Sequence, residues 1–332
     1  MRSRISALFL LLLTLVNPAL AEVSSPRPLR IGVLAFGTLN WEIAAIQSEG
    51  LDKARGITLE PTRLASPEAG KIALQGNSVD LIVGDWIWVA NQREQGLDFA
   101  FSPYSTSHGA LMVPADSPIQ GIADLKGKRL GIAGGGLDKN WLLLRALARE
   151  ANHLDLDRAV EKTFGAPPLL NQQLQQGKLD AVLNYWNYAA KLEALGYRRV
   201  LDGRSITRGL GVNVDVPALG YIFRGDWAKA NEATLNGFFG MADTAKKLIC
   251  ESDAAWSKVA PLTQESDEKV RNTLRKHYCE GRVANFGPEE IKAAGSIYSL
   301  LDKVAGRQAT GSGGQLPEGV FWTSRRSTPA AH

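Results

Sequence analysis

Short apolar stretches alternate with amphipathic stretches along the first two thirds of the chain. The apolar stretches predict buried β-strands at residues 29–36, 57–63, 79–83, 129–133 and 181–184. The stretches between them carry apolar positions at helical spacing and predict helices beginning near residue 40 and spanning 66–75, 86–95, 138–151, 168–176 and 186–195. Strands that alternate with helices are typical of βαβ units, so the sequence predicts an α/β fold with parallel sheets.

Two apolar, extended segments that contain a proline interrupt this alternation, at 110–114 and 216–223. Between them the pattern starts again, which predicts a second lobe at 113–216, inserted into a first lobe made of 22–112 and 217–305. Two lobes joined by two hinge strands leave a ligand cleft that can close. The chain beyond residue 226 predicts helices at 227–249, 253–259, 266–278 and 288–304, and a Gly- and Ser-rich C-terminal tail at 306–332.

The first residues have the features of an export signal. Arg2 and Arg4 precede an apolar run at 5–16, and residues 19–21 form the small-x-small pattern that signal peptidase recognises. The alternative is a membrane anchor, but a bilayer-spanning helix needs about 20 apolar residues. We therefore expect a cleaved signal peptide at 1–21 and, since no cysteine lies near the cleavage site, a periplasmic protein without a lipid anchor.

Charge and cysteine content narrow the class of protein. The formal net charge is +4, and basic residues alternate with acidic ones, which argues against a nucleic-acid surface. Cys250 and Cys279 are the only cysteines. An oxidising compartment permits a disulfide between them. Two buried free thiols are the alternative.

Enzyme signatures are absent from the sequence. There is no His-Glu-x-x-His motif, no cysteine pair at metal-binding spacing and no Gly-x-Ser-x-Gly motif. The sequence thus predicts a protein that is not an enzyme and that holds no metal or cofactor.

Four segments in order along the chain resemble one family of solute-binding proteins. They are 73–80 in the first lobe and 124–133, 138–147 and 170–181 in the second. Together they are similar to the sulfonate, taurine, nitrate and thiamine-pyrimidine (NMT1-like) branch of binding proteins that serve ABC importers. The resemblance implies a two-lobed periplasmic binding protein of type II, which delivers a small solute to a membrane permease, and we expect it to be a monomer.

Candidate ligand-binding residues follow from strand position. Ligands of open α/β lobes lie beyond the carboxyl ends of strands, and the predicted ends here carry Gly, Asn, Asp or Trp. The candidates are Thr38, Asn40, Trp41, Asp85, Trp86, Gly135, Asp138, Asn184 and Trp186. Each tryptophan has an alternative role in core packing, and each aspartate has an alternative role as a helix N-cap.

The acidic candidates bear on the charge of the solute. A helix N-terminus attracts anions, but a carboxylate already placed there, as expected for Asp85 and Asp138, occupies the donors and repels a second negative charge. Tryptophan faces beside carboxylates suit a flat ring or an ammonium group. The sequence accordingly favours a neutral aromatic or cationic solute over a simple anion. The alternative function is a periplasmic accessory or sensor protein of the same fold that acts through a protein partner.

Overall fold

In the computed structural model, which describes residues 28–305, 310–311 and 313–323, the strands form two five-stranded sheets. The predicted signal peptide lies outside the described residues. The strands are β1 (Leu29–Leu34), β2 (Leu59–Leu64), β3 (Leu81–Gly84), β4 (Phe99–Ser105), β5 (Ala110–Val113), β6 (Arg129–Ala133), β7 (Glu161–Gly165), β8 (Ala181–Asn184), β9 (Arg198–Asp202) and β10 (Leu219–Arg224).

Helices cover both faces of the sheets. They are α1 (Leu39–Ser48), α2 (Leu51–Arg55), α3 (Pro67–Gln75), α4 (Trp86–Glu94), α5 (Lys139–Asn152), α6 (Leu156–Ala159), α7 (Pro167–Gln175), α8 (Trp186–Ala194), α9 (Gly203–Gly209), α10 (Gly225–Ala230), α11 (Glu232–Glu251), α12 (Asp253–Val259), α13 (Glu268–Glu280) and α14 (Pro288–Ala305). In the described part of the chain, none of them combines the length and the apolar character that a membrane span requires.

The two sheets share one topology. The first has the order β2-β1-β3-β10-β4 and the second the order β7-β6-β8-β5-β9. In each sheet three strands run parallel, and the fourth strand runs antiparallel to both of its neighbours. β10, from late in the chain, pairs with β3 and β4, so the outer segments of the chain build one sheet around an inserted lobe. The predicted two-lobed α/β fold is confirmed.

The chain crosses between lobes at different residues from those predicted. The segment at 110–114 was expected to be a hinge strand, but β5 is hydrogen-bonded to β8 and β9 inside the second sheet. The first crossing is therefore the short connection 106–109, ahead of the expected boundary at 112. The second crossing is longer and ends where β10 enters the first sheet. A buried apolar strand gains more from pairing inside a sheet than from standing alone.

The sequence pattern did not single out β4, β7 or β9. β7 and β9 lie at an edge of their sheet and carry exposed or half-buried charged residues, so they lack the apolar run that marks a buried strand. β4 is fully buried, but Pro103 interrupts its pattern. Proline is tolerated at a sheet edge, where one side of the strand needs no donor, and β4 is the edge strand of the first sheet.

The last two long helices connect the lobes. α13 packs against α8 of the second lobe, and α14 packs against α5. Polar contacts accompany the first of these interfaces: Lys191 Nζ lies 2.7 Å from Glu265 Oε1, and His277 Nε2 lies 3.0 Å from Glu193 Oε1. Cys250 of α11 and Cys279 of α13 form a disulfide, with their Cα atoms 5.7 Å apart. The helical remainder thus holds both lobes together.

Part of the predicted tail is structured. Phe101 N donates to the carbonyl of Val320 at 2.8 Å, and Trp322 N donates to the carbonyl of Phe101 at 2.8 Å. Phe321 is buried against the ring of Phe101, with ring centroids 5.6 Å apart. These residues extend the open edge of the first sheet beside β4. Their apolar side chains, rather than the Gly and Ser residues before them, decide this placement.

Candidate functional site

The cleft between the lobes is lined by the residues that follow the carboxyl ends of β1, β3, β6 and β8. The cavity that it forms has a volume of about 230 Å³ and is partly open to solvent. Residues 107–109 of the first crossing, Ala218 at the end of the second crossing and Leu219 of β10 also line it. The two lobes contact each other here, since Asn187 Nδ2 donates to the carbonyl of Phe36 at 3.3 Å. This is the position in which α/β lobes hold ligands.

Five of the predicted ligand-binding residues line the cleft: Thr38, Asp85, Gly135, Asp138 and Trp186. Both aspartates are also helix caps. Asp85 Oδ1 accepts from Trp88 N at 3.1 Å, and Asp138 Oδ1 accepts from Asn140 N at 2.9 Å. Their ligand contacts stay predictions. The capping roles show why aspartate occurs at these two strand-to-helix turns.

The other two tryptophan candidates lie in the cores of the protein. The Trp86 side chain is 1% exposed and packs against Tyr298 and Phe321, with centroid distances of 6.3 and 6.1 Å. Trp41 is 4% exposed, and its ring centroid lies 6.4 Å from that of Trp186. Trp41 and Trp86 were expected to contact the ligand because both lie close to the carboxyl end of a strand. In the structure both rings are buried in the apolar interior.

The two asparagine candidates support the cleft wall from behind. Asn40 Nδ2 donates to the carbonyls of Leu34 and Gly37, at 2.8 and 2.7 Å, and holds the turn after β1. Asn184 is 1% exposed, and its amide donates to the carbonyl of Pro167 at 3.0 Å. Neither side chain is part of the cleft lining, because each satisfies buried backbone carbonyls instead.

The ionisable groups of the cleft are strongly desolvated. Burial raises the pKa of the Asp138 carboxyl to about 6, and the negative charge of Asp85 acts in the same direction. Burial lowers the pKa of the Lys139 ammonium. Burial, with the nearby charge of Lys139, lowers the pKa of His108 to about 3, so its ring is neutral. Burial also raises the pKa of the Tyr185 hydroxyl.

Five helices begin at the cleft, and two of them lack a side-chain cap. Ser66, Asp85 and Asp138 cap α3, α4 and α5 with their own side chains. Thr38 at α1 and Tyr185 at α8 make no such hydrogen bond. α1 belongs to the first lobe and α8 to the second, so two helix N-termini without a capping side chain face the cleft from opposite lobes.

Sequence reasoning left several cleft residues out of the candidate set. Tyr104, His108, Lys139 and Tyr185 all line the cleft. Lys139 follows Asp138 and Tyr185 precedes Trp186, so the strand ends that predict Asp138 and Trp186 as cleft residues also carry these two side chains. Tyr104 lies just before the first crossing and His108 lies within it, and a crossing segment has to run beneath the cleft between the lobes that it connects. Among the described residues, no group of His, Cys, Asp and Glu side chains is arranged to hold a metal ion.

The fold and the cleft together define a two-lobed α/β binding protein. A family model described as "NMT1/THI5 like" matches residues 43–251. The chain belongs to this NMT1/THI5-like family, as the resemblance of the four sequence segments implied.

Relatives and solved structures agree with this assignment. An Escherichia coli (strain K12) protein named for the binding of aliphatic sulfonates is 30% identical over 204 residues, which are 59% of this chain and 61% of that protein. The chain therefore matches less than two thirds of this curated relative. The alkanesulfonate-binding protein SsuA of Xanthomonas axonopodis pv. citri, solved with bound MOPS, superposes with a TM-score of 0.69 at 20% identity. The match covers 90% of this chain and 99% of the SsuA chain. SsuA of Escherichia coli superposes with a TM-score of 0.66 at 21% identity. This match covers 88% of this chain and 94% of the Escherichia coli chain.

Proposed function

We propose that this protein binds an organosulfonate in the periplasm and delivers it to the permease of an ABC importer. The family membership, the two-lobed fold and the sulfonate binding for which the relatives are named support the proposal. Binding of the solute stabilises the closed arrangement of the lobes, and a permease that recognises this arrangement responds only to the loaded protein. The protein acts by binding rather than by catalysis, and as a monomer.

The uncapped N-termini of α1 and α8 carry this proposal. A sulfonate group has three acceptor oxygens and one negative charge, which matches backbone N–H groups and the positive end of a helix dipole. Thr38 and Tyr185 mark these two N-termini on opposite lobes. Lys71 and Lys139, which also line the cleft, add positive charge. A sulfonate held between the two N-termini would bridge the lobes and favour closure.

A neutral aromatic or cationic solute is the second candidate, and the carboxyl groups of Asp85 and Asp138 in the cleft favour it. This was the expectation from sequence, and the relatives do not support it, since sulfonates are anions. Both carboxylates accept hydrogen bonds from their own helices. Their presence therefore has a structural explanation that requires no positive charge on the solute.

Thermal unfolding with a panel of solutes tests the proposed function. The panel contains alkanesulfonates, MOPS and taurine, with choline and indole as cationic and neutral aromatic probes. At a concentration of 100 times Kd, a bound solute is expected to add about 2.7 kcal/mol to the stability of the folded state. Isothermal titration calorimetry then gives Kd. Stabilisation by choline or indole alone would favour the second candidate, and no response to any solute would favour an accessory or sensor protein.

The pH dependence of affinity separates the two solute classes. An anion in the cleft favours the protonated form of Asp138, whose pKa of about 6 lies above its usual range. Sulfonate binding is then coupled to proton uptake, so Kd is expected to fall as pH decreases from 8 to 5, by about three- to tenfold for one neighbouring charge. A cationic solute reverses the sign. Asp138→Asn, which keeps a good N-cap, is expected to remove the dependence, and calorimetry at several pH values measures it.

Export belongs to the same proposal. The predicted signal peptide at 1–21 implies that the mature protein begins at Glu22. N-terminal sequencing of protein from a periplasmic fraction is expected to give this residue. Recovery of the uncleaved chain in the membrane fraction would contradict the proposed location.

A further inference from the structure

A buried carboxyl group lies directly beneath the cleft, on the first turn of α1. The Glu42 side chain has no exposed surface. Tyr221 Oη donates to its Oε2 at 2.9 Å, and Tyr278 Oη donates to its Oε1 at 2.7 Å. Lys246 Nζ lies 3.9 Å from Oε1. Burial raises the pKa of the Glu42 carboxyl, and the positive charge of Lys246 opposes this shift.

Tyr104 connects this group to the cleft. Lys246 Nζ donates to the Tyr104 carbonyl at 2.6 Å and lies 4.0 Å from the centre of the Tyr104 ring. The Tyr104 hydroxyl lies 3.2 Å from Thr38 Oγ1, and the Tyr104 ring packs edge-on against that of Tyr221, with ring centroids 5.1 Å apart. Both Tyr104 and Thr38 line the cleft. A continuous polar path therefore leads from Glu42 to the wall that a solute would touch.

The same carboxyl group links the two strands of the first sheet that border the crossings between the lobes. Tyr104 lies near the end of β4, where the chain leaves the first sheet, and Tyr221 lies in β10, where it returns. A buried carboxylate loses its hydration, and only a well-formed set of partners offsets that loss. Such a network specifies the positions of its members more tightly than an apolar contact would.

We propose that Glu42 is a positioning residue of the solute site, which acts through Tyr104 to hold the Thr38 hydroxyl against the bound solute. This inference rests on the proposed function and extends it to a residue that does not itself touch the solute. If Glu42 only stabilised the fold, its replacement would lower stability without a specific effect on affinity. If Glu42 acts through Tyr104, the effects of substituting Glu42 and Tyr104 on the affinity for the solute are not additive.

A double-mutant cycle tests the coupling. The probe is MOPS or the alkanesulfonate that binds the wild-type protein most tightly, with Kd from calorimetry. Glu42→Gln and Tyr104→Phe are each expected to weaken binding about tenfold. The double variant is expected to bind no more weakly than Tyr104→Phe alone. Equal weakening by Glu42→Gln in both backgrounds, or no weakening, would overturn the proposal.

Asp80→Asn is the matched control. Asp80 is also a buried carboxylate of the first lobe, with Oδ1 2.6 Å from Arg30 Nη2, but it is not part of the cleft lining. This variant is expected to lose stability and to keep the wild-type Kd. Should Glu42→Gln fail to fold, Lys246→Met takes its place in the cycle, with the same expected result.

Crystal structures without solute make the test independent of the proposed function. In Glu42→Gln the hydrogen bond between the Tyr104 hydroxyl and Thr38 is expected to be lost, whereas in Asp80→Asn it persists. An unchanged Tyr104 in Glu42→Gln would refute the positioning role. If the wild-type protein bound no sulfonate, the proposed function would fail, while these structures would still decide whether Glu42 positions Tyr104.

Discussion

Replacing both Cys250 and Cys279 by alanine is expected to lower the free energy of unfolding by about 3–4 kcal/mol. The bridge closes a loop across a sequence separation of 29 residues. A cross-link of this length restricts the unfolded chain, which is the main source of its effect in the chain-entropy model. The bridge also fixes α13 to α11, and α13 packs on α8 of the other lobe. Its loss is therefore expected to loosen the contact between the lobes.

Urea unfolding followed by tryptophan fluorescence measures the change. The wild-type protein in reducing buffer should match the double variant, and the reductant should not weaken the double variant further. A difference of less than about 1 kcal/mol between oxidised wild type and double variant would show that the bridge contributes little to stability.

Trp186→Ala is expected to cost about 3–5 kcal/mol of stability and to favour the open arrangement of the lobes. The Trp186 side chain belongs to the second lobe and is 8% exposed. Its ring centroid lies 6.4 Å from that of Trp41 and 6.3 Å from that of Tyr278, and both of these residues belong to the first lobe. Truncation removes apolar contacts and leaves a cavity at the interface between the lobes. It also removes part of the cleft wall, so affinity for the solute should fall.

Chemical denaturation and small-angle X-ray scattering measure these two effects. Trp186→Ala is expected to give a larger radius of gyration than the wild type, because fewer contacts hold the lobes together. Trp186→Phe keeps an aromatic ring and should restore most of the stability. An unchanged radius of gyration together with a loss of stability below 1 kcal/mol would contradict a role for Trp186 in holding the lobes.

Both predictions involve contacts of α13, in the helical part of the chain for which the sequence contained the least functional information. The sequence predicted the helices that became α11 to α14 but not what they contact. α13 and α14 pack on helices of the inserted lobe, and Tyr278 reaches both Glu42 and the ring of Trp186. Such contacts join residues that are far apart in sequence, and periodicity reports only which face of a helix is buried.

The sequence alone determined the α/β class, the insertion of one lobe into the other and the strand ends at which the cleft forms. These features follow from local rules, because a short apolar run indicates a buried strand. The carboxyl ends of parallel strands also meet at the same edge of their sheet. It also placed Asp85 and Asp138 at helix starts, where both are caps.

The tertiary structure alone decided which side chains at those ends face the cleft. Trp41 and Trp86 lie in the cores, whereas Trp186 lines the cleft, although all three occur at similar positions near the start of a helix. The direction of a side chain there depends on the elements packed around it, and these come from distant parts of the chain. The buried network around Glu42 has the same origin, since the partners of its carboxyl group lie on three other elements.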